Sequence, residues 1–387
     1  MTLPRLAVIG DFVEEKWPSM DHVAEMLFQH LAEEHAGTID STFIRPPMSR
    51  RLTRLGATTC RSTFNADRLF NRLWDYPRRL RKLRDCFELF HVTDHSYAHL
   101  LHELPPQRAV VTCHDLDTFR PLFQTDAGPH SRLLKALASR TLEGLRRAAR
   151  VVCVSEATRK DLLAHHLYRD DRVVVIPNGV HPSFSPEPDP RADAAARRLL
   201  ESYNASVDAQ NILHVGSTVK RKRLDVLLRV FAAVRVEFPR ARLIRVGGPF
   251  TAAQKELVER LGLKDSVVVL PFVEREVLAA LYRIASVLLQ PSEREGFGLP
   301  VIEAMACRTP VVASDVPVLR EVGGDAGLYC PVGDVHAWAA TVIKLLKEER
   351  EQQHLWSNRG AVAQAQAAKY SWAEHTRRMV AVYQELL

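Results

Sequence analysis

Two carboxylates, Glu295 and Glu303, stand with seven residues between them, across a loop that holds Gly296 and Gly298. Glu303 is the only charged residue between Gly296 and Arg308. A lone carboxylate in an apolar stretch is costly to bury unless something donates hydrogen bonds to it, and ligand hydroxyls are suitable donors. Glycines let the backbone approach a ligand closely, and the first-turn N–H groups of a helix that follows suit phosphate. A second group, Lys220-Arg221-Lys222-Arg223, sets four cations after Gly216-Ser217. Such a cluster suits a diphosphate, whose oxygens accept charge-assisted hydrogen bonds from Lys and Arg. A third group is polar and ends apolar runs: Asp94-His95 after Leu89-Phe-His-Val, and His114-Asp115 after Ala109-Val-Val-Thr-Cys.

These side chains need elements to hold them. The apolar run Ser286 to Gln290 predicts a buried strand and Leu299 to Cys307 a helix, with the glycine loop between. Asn211 to Gly216 predicts another strand and Leu224 onward another helix, so the four cations fall in the turn that joins them. Further strands are expected over Arg5–Gly10, Glu88–Asp94, Arg108–His114, Arg150–Ser155 and Asp171–Ile176, with helices between most of them, one over Ser131–Ala149. Strands and helices alternating at this spacing predict parallel sheets with helices on both faces. Chemistry in such sheets collects at the carboxyl ends of strands, where Asp94, His95, His114 and Asp115 would lie. A chain of 387 residues is long for one core and suits two domains. Pro182 to Pro190 carries four prolines in nine positions and reads as the linker. Domains are expected over 1–185 and 191–365, with a last helix over 371–387. Only Gly10 follows the first strand, which counts against a dinucleotide-binding Gly-x-Gly-x-x-Gly loop.

Glu295-x7-Glu303, with Phe297-Gly298-Leu299-Pro300 inside it and Thr309-Pro-Val-Val-Ala-Ser-Asp315 after it, resembles the signature of the retaining GT-B glycosyltransferases of family 4. Val111-Thr-Cys-His-Asp-Leu116 and Ile176-Pro-Asn-Gly179 are similar to two other motifs of that family, and Arg221-Lys222 to its phosphate-binding pair. The likeness covers Glu88 to Leu387 well and the first eighty residues in outline. It implies an α/β protein of two Rossmann-like, doubly wound domains facing across a cleft, the second binding a nucleotide-sugar donor. Glu303 would then bond the ribose and Glu295 meet the donor sugar. Backbone at Phe297, Gly298 and Leu299 would meet sugar and phosphate, and Gly216, Ser217, Arg221 and Lys222 the diphosphate. His114 would touch the donor sugar near the reacting centre, with Asp115 beside it. Asp94 and His95 are candidates for the acceptor side. The family frequently carries Arg directly after the glycine, where this chain has Ser217, so Arg221 or Lys220 must carry more of the diphosphate charge. Neither a cofactor nor a metal is implied. The variant looks most like bacterial mannosyltransferases that use GDP-mannose, with UDP-glucose or UDP-N-acetylglucosamine as alternative donors. From another class, a sugar-nucleotide epimerase shares the double fold and would act with no acceptor present.

The net charge of +7 is unevenly spread. Between Arg45 and Arg84, twelve basic residues face only Asp67 and Asp75, a local net of +10, which leaves the remainder at −3. Phe64, Phe70, Trp74 and Tyr76 are interspersed. Interleaved cations and aromatic rings suit an anionic membrane surface, and the charge alone suits an anionic glycan or lipid-linked acceptor. No nucleic-acid motif appears at its required spacing, so nucleic acid is not an expected partner. The six cysteines are scattered with no Cys-x-x-Cys pair, which argues against a zinc site or a disulfide framework. No apolar run approaches the roughly 18 to 20 residues of a membrane helix, and Met1 to Gly10 is too short for a signal peptide. The expectation is a cytoplasmic protein, peripheral at the inner face of the membrane.

Overall fold

The computed structural model describes residues 3–53, 61–123, 132–206 and 209–387. Ser131, named above, lies outside them, as do Arg54, one of the twelve basic residues, and Cys60, one of the six cysteines. The chain divides into two units: Met1–Gly179 with Trp372–Leu387, and Val180–Ser371. The passage between units falls at Gly179, ahead of the proline-rich stretch read as a linker. That stretch belongs to the second unit, where Phe184 is buried edge-on against Tyr282 and Arg283 donates to Ser185 O. Asp189 then accepts from the N–H groups of Arg191 and Ala192 and caps a helix, Pro190–Glu201.

The first unit is a six-stranded parallel sheet in the order β2-β1-β3-β4-β5-β6. Its strands are β1 (Arg5–Ile9), β2 (Asp40–Ile44), β3 (Leu89–Val92), β4 (Ala109–Cys113), β5 (Arg150–Cys153) and β6 (Val173–Val175). The inner strands are apolar nearly throughout because helices cover both faces, leaving neither for water. On one face the C-terminal helix Trp372–Gln384 lays Met379, Val380, Val382 and Tyr383 against Leu6, Val8, Leu89, Val110 and Val152. His91 on β3 bridges Tyr383 Oη (2.6 Å) and Thr112 Oγ1 (2.8 Å), so a polar pair in the core is satisfied.

The second unit repeats the plan, with strand order β12-β11-β10-β7-β8-β9 and every pairing parallel. Its strands are β7 (Asn211–Val215), β8 (Arg242–Val246), β9 (Val267–Leu270), β10 (Val287–Gln290), β11 (Val311–Ser314) and β12 (Leu328–Cys330). In each sheet the strand order reverses once, between β1 and β3 and between β7 and β10, and ligands of doubly wound folds bind outside such switch points.

The basic segment folds as helix Arg61–Phe70, a π turn Asn71–Asp75 and helix Tyr76–Leu83. Its charge is less free than its composition suggests. Arg45 pairs with Asp21 and Glu25, Arg51 with Asp75, Arg68 and Arg72 with Glu15, Arg81 with Glu103 and Arg84 with Asp85. Most of those carboxylates lie outside the segment, where a local charge count misses them. The aromatics divide as well. Tyr76 is buried with its hydroxyl shared between Gly10 O and Ile44 O, and Phe64 packs on the core, while Phe70 and Trp74 are 44% and 48% exposed. Arg51 lies over the Phe70 ring at 4.3 Å and Arg78 over Trp74 at 3.8 Å.

Candidate functional site

At the switch point of the second sheet, the turn after β7 and the loop after β10 meet. Glu293 N–H donates to Arg221 O at 2.9 Å, joining the two backbones. Lys220 to Lys222 form one 3-10 turn, closed by Arg223 in the left-handed region, which points Lys222 inward. Lys222 Nζ donates to Glu295 Oε1 (2.6 Å), and Arg221 Nη1 to Glu295 Oε2 (3.1 Å) and Arg294 O (3.0 Å). Gln290, the last residue of β10, adds a bond from Nε2 to Glu295 Oε1 at 2.5 Å. Burial alone would raise the Glu295 carboxyl, but the Lys222 ammonium and then Arg221 outweigh it and hold it at about 2. The expected diphosphate cations and the expected sugar carboxylate therefore form one buried ionic cluster. Gly216 adjoins it: a Cβ there would lie 3.4 Å from both Lys222 Cε and His214 Cε1.

Gly298 starts the helix Leu299–Ala306 with φ 96°, and a side chain on it would drive into Leu319 at 2.8 Å, so position and conformation both require glycine. Phe297 is buried edge-on against Tyr370. The helix is buried on every side from Val301 to Ala306, rather than on one apolar face, and Glu303 is buried with it. Tyr282 Oη donates to Glu303 Oε2 at 2.8 Å. Burial pushes the Glu303 carboxyl up to about 7, against the opposing pull of the Tyr282 hydrogen bond and Arg275. The two carboxylates thus differ in character: Glu295 is a fixed anion, and Glu303 changes charge near neutrality.

The four candidates of the first unit gather at the ends of β3 and β4, and Asp11, after β1, joins them. His95 Nδ1 lies 3.2 Å from Asp94 Oδ1, and its Nε2 lies 3.5 Å from Asp115 Oδ1. His114 N–H points at His95 Nδ1 (3.3 Å), and His114 Nε2 donates to Thr93 O (2.8 Å). Burial lowers the His114 imidazole, partly countered by Asp94, so the ring is neutral with its lone pair on Nδ1, able to accept from a hydroxyl. Asp94 accepts from Ser96 N–H (2.8 Å) and Ser96 Oγ (2.7 Å). Burial would raise its carboxyl, but His95 and His114 hold it well below the usual carboxylate range. Asp11 is equally buried and its carboxyl is hydrogen-bonded to that of Asp94. Burial, then the Asp94 charge, raise Asp11 well above the ordinary value, so the proton of this pair resides on Asp11. Asp117, the other member of Asp115-Leu-Asp117, is engaged by Arg120 at 2.7 Å.

Sequence reasoning passed over Asp11, Tyr282, Gln290 and Arg245. The available signals were position, for Asp11 and Gln290 at strand ends, and a cation set between apolar residues inside a strand, for Arg245. Nothing local marks Tyr282, which is twenty-one residues from Glu303.

Comparison with known proteins identifies the family. The family model for glycosyl transferases group 1 matches residues 197–362, and that for Glycosyltransferase Family 4 matches residues 23–184. The chain is 30% identical over 333 residues to O-antigen chain mannosyltransferase B of Escherichia coli, covering 81% of this chain and 83% of that protein. It is 34% identical over 259 residues to D-inositol 3-phosphate glycosyltransferase of Kineococcus radiotolerans, covering 61% of this chain and 57% of that one. Among solved structures, sucrose-phosphate synthase from Thermosynechococcus elongatus superposes with a TM-score of 0.75 at 23% identity over 99% of both chains, a likeness of fold. With two parallel six-stranded sheets, both family models and a relative matched over most of its length, the chain belongs to the group 1, family 4 glycosyltransferases and has their two-domain GT-B fold.

Proposed function

We propose that this glycosyltransferase moves mannose from GDP-mannose to a glycan or lipid-linked acceptor, with retention of configuration. The observation that carries a nucleoside diphosphate donor is the Arg221–Lys222–Glu295 cluster at the switch point of the second sheet. Mannose is supported by the mannosyltransferase relative, matched over most of both chains. In the proposed reaction the bond from sugar C1 to the diphosphate oxygen breaks and the acceptor oxygen bonds C1 on the same face. The acceptor proton passes to a diphosphate oxygen, so no protein nucleophile is required. Lys222 and Arg221 stabilise the charge that develops on the leaving diphosphate, and Glu303 takes the ribose hydroxyls. His114 Nδ1 accepts from a donor-sugar hydroxyl and Glu295 orients the sugar, while Asp11, Asp94, His95 and Asp115 serve the acceptor side. Those cations supply the neutralisation a metal would otherwise give, and activity should persist in a chelator. A phosphorylated cyclitol acceptor is the second reading, favoured by the inositol phosphate glycosyltransferase relative.

The test is a thermal-shift panel of GDP, UDP and ADP, followed by assay of nucleotide release from the matching sugar donor. GDP should shift the melting temperature most, since a ligand stabilises in proportion to the logarithm of its concentration over Kd. A larger shift with UDP would move the donor to UDP-glucose or UDP-N-acetylglucosamine. In the same assay His114→Ala should lower kcat and leave GDP affinity nearly unchanged; wild-type turnover would remove His114 from the site.

Location is proposed at the cytoplasmic face of a membrane. Of the basic segment's described side chains, Arg50, Arg78, Arg79 and Lys82 form no ion pair, and Arg78 and Arg79 follow the exposed rings of Phe70 and Trp74 on the same helical stretch. Each cation near an anionic bilayer contributes about 1 kcal/mol, screened by salt. Liposomes with anionic lipid should therefore pull the protein down at low salt and release it at high salt. The Arg78→Glu, Arg79→Glu, Lys82→Glu variant should stay in the supernatant. Equal sedimentation of variant and wild type, or none of either at low salt, would rule the membrane contact out.

A further inference from the structure

On the face of the second sheet that packs against the helices Leu224–Glu237 and Val335–Glu351, the last side chains of β7 and β8 turn from aliphatic to polar. Ile212 and Leu243 lie in the core beneath, and the next side chains on that face, His214 and Arg245, are cross-strand neighbours. Arg245 is 0% exposed, and no carboxylate pairs with it among the described residues. An unpaired cation so deep is retained only against a large desolvation cost, which pushes the guanidinium down to about 10. Its donors go to three backbone carbonyls: Nη2 to Gly216 O (2.9 Å) and Gly247 O (3.2 Å), and Nη1 to Gly248 O. Gly247 presses on the same peptide, since a Cβ there would fall 2.0 Å from Gly216 O. The Gly216–Ser217 peptide is thereby clamped between the arginine and Gly247.

A trans peptide is planar with its N–H opposite its C=O. With Gly216 O held on Arg245, the Ser217 N–H is directed away from the guanidinium, and no protein acceptor takes it among the described residues. A carbonyl bonded to a cation also makes the N–H of its own peptide a stronger donor. We propose that Arg245 is a positioning residue of the donor site: it aims the Ser217 N–H at the donor diphosphate and lends, from behind that peptide, the positive charge that Ser217 does not carry. The inference rests on the donor-site reading above. It accounts for an expensive unpaired cation at the one loop where the resemblance led us to expect an arginine and the chain has a serine.

The test compares GDP, GMP and guanosine by titration calorimetry, or the uridine series should the nucleotide panel select it. Arg245→Met should lose about tenfold or more in GDP affinity and less than about threefold in guanosine affinity. Its melting temperature without nucleotide serves as the folding control, because relief of a buried charge is offset by three carbonyls left without their donor. Adding Ser217→Arg to Arg245→Met should restore part of the GDP affinity. Equal losses for GDP and guanosine, or unchanged GDP affinity, would overturn the proposal. Should Arg245→Met fail to fold, Arg245→Gln keeps a donor for Gly216 O but removes the charge, and wild-type GDP affinity in it would overturn the proposal equally. The parent reading is separable: unchanged GDP affinity in Lys222→Ala sinks the donor site itself, whereas a loss in Lys222→Ala with none in Arg245→Met sinks only the role of Arg245.

Discussion

Lys222→Ala is expected to weaken nucleoside diphosphate binding roughly ten- to hundredfold, the equivalent of about 1.5 to 3 kcal/mol for a charge-assisted contact. The same variant should be less stable without nucleotide. Removing the ammonium 2.6 Å from Glu295 leaves the buried carboxylate with Arg221, Gln290 and Ser292, and a buried charge that loses a partner costs on the order of 3 kcal/mol. The pH dependence separates this from a general loss of packing. Glu295 lies at about 2, below the 4.5 of a free glutamate, so its ionic contribution is present above about pH 4.5 and fades as pH falls from there to 2. The stability gap between wild type and variant should accordingly be widest near neutrality and narrow in acid. Melting curves from pH 3 to 7 and GDP titrations measure both effects. A gap that does not change with pH, or unchanged GDP affinity, would contradict the assignment.

Glu303→Gln should act with the opposite pH sign. The native carboxyl sits at about 7, above the ordinary 4.5, so the folded protein holds that proton more tightly than the unfolded chain does. The resulting penalty is absent below about pH 4.5 and grows as pH rises through 7, to roughly 3 kcal/mol. Glutamine carries no such penalty, and the variant should match wild type near pH 4 and exceed it in stability at pH 8. Binding should move the other way. Ribose hydroxyls donate to the ionised carboxylate, so ribonucleotide binding near pH 6.5 should expel a proton, visible as heats that depend on the buffer's ionisation enthalpy. The 2′,3′-dideoxy analogue should expel none, and Glu303→Gln should lose ribonucleotide affinity while binding the analogue as before. Identical behaviour of the two nucleotides would make Glu303 a structural residue held by Tyr282.

Much of the fold was legible because parallel strands covered on both faces are continuous apolar runs, such as Ala109 to Cys113 and Val287 to Gln290. β2 escaped notice because an edge strand with the sequence Asp-Ser-Thr-Phe-Ile carries polar residues on its open side. The helix Gln353–Ala367, rich in Ala and Gln, has almost no apolar stripe for periodicity to find. In the site, residue types and spacing singled out Glu295, Glu303 and the cations from Lys220 to Arg223, the family resemblance picked out Lys222 and His114, and what both left out is pairing. That Lys222 is spent on Glu295, that Tyr282 holds Glu303, and that Asp11 shares a proton with Asp94 follow only once strands distant in sequence are set side by side. The basic segment shows the same limit. Its count of +10 is correct, yet Glu15, Asp21, Glu25 and Glu103 arrive from other segments to offset it.

The C-terminal helix carries a consequence for how the molecule is made. Synthesis proceeds from the N-terminus, and residues 180–371, a whole unit with its own sheet, leave the ribosome before Met379, Val380 and Tyr383 do. Until then Leu6, Val8, Leu89, Val110 and Val152 lack the helix that covers them, and His91 lacks the Tyr383 hydroxyl. The unit begun first is therefore finished last. During that interval its uncovered sheet face is the surface a chaperone would bind, and a stop codon at Trp372 would leave it permanently open.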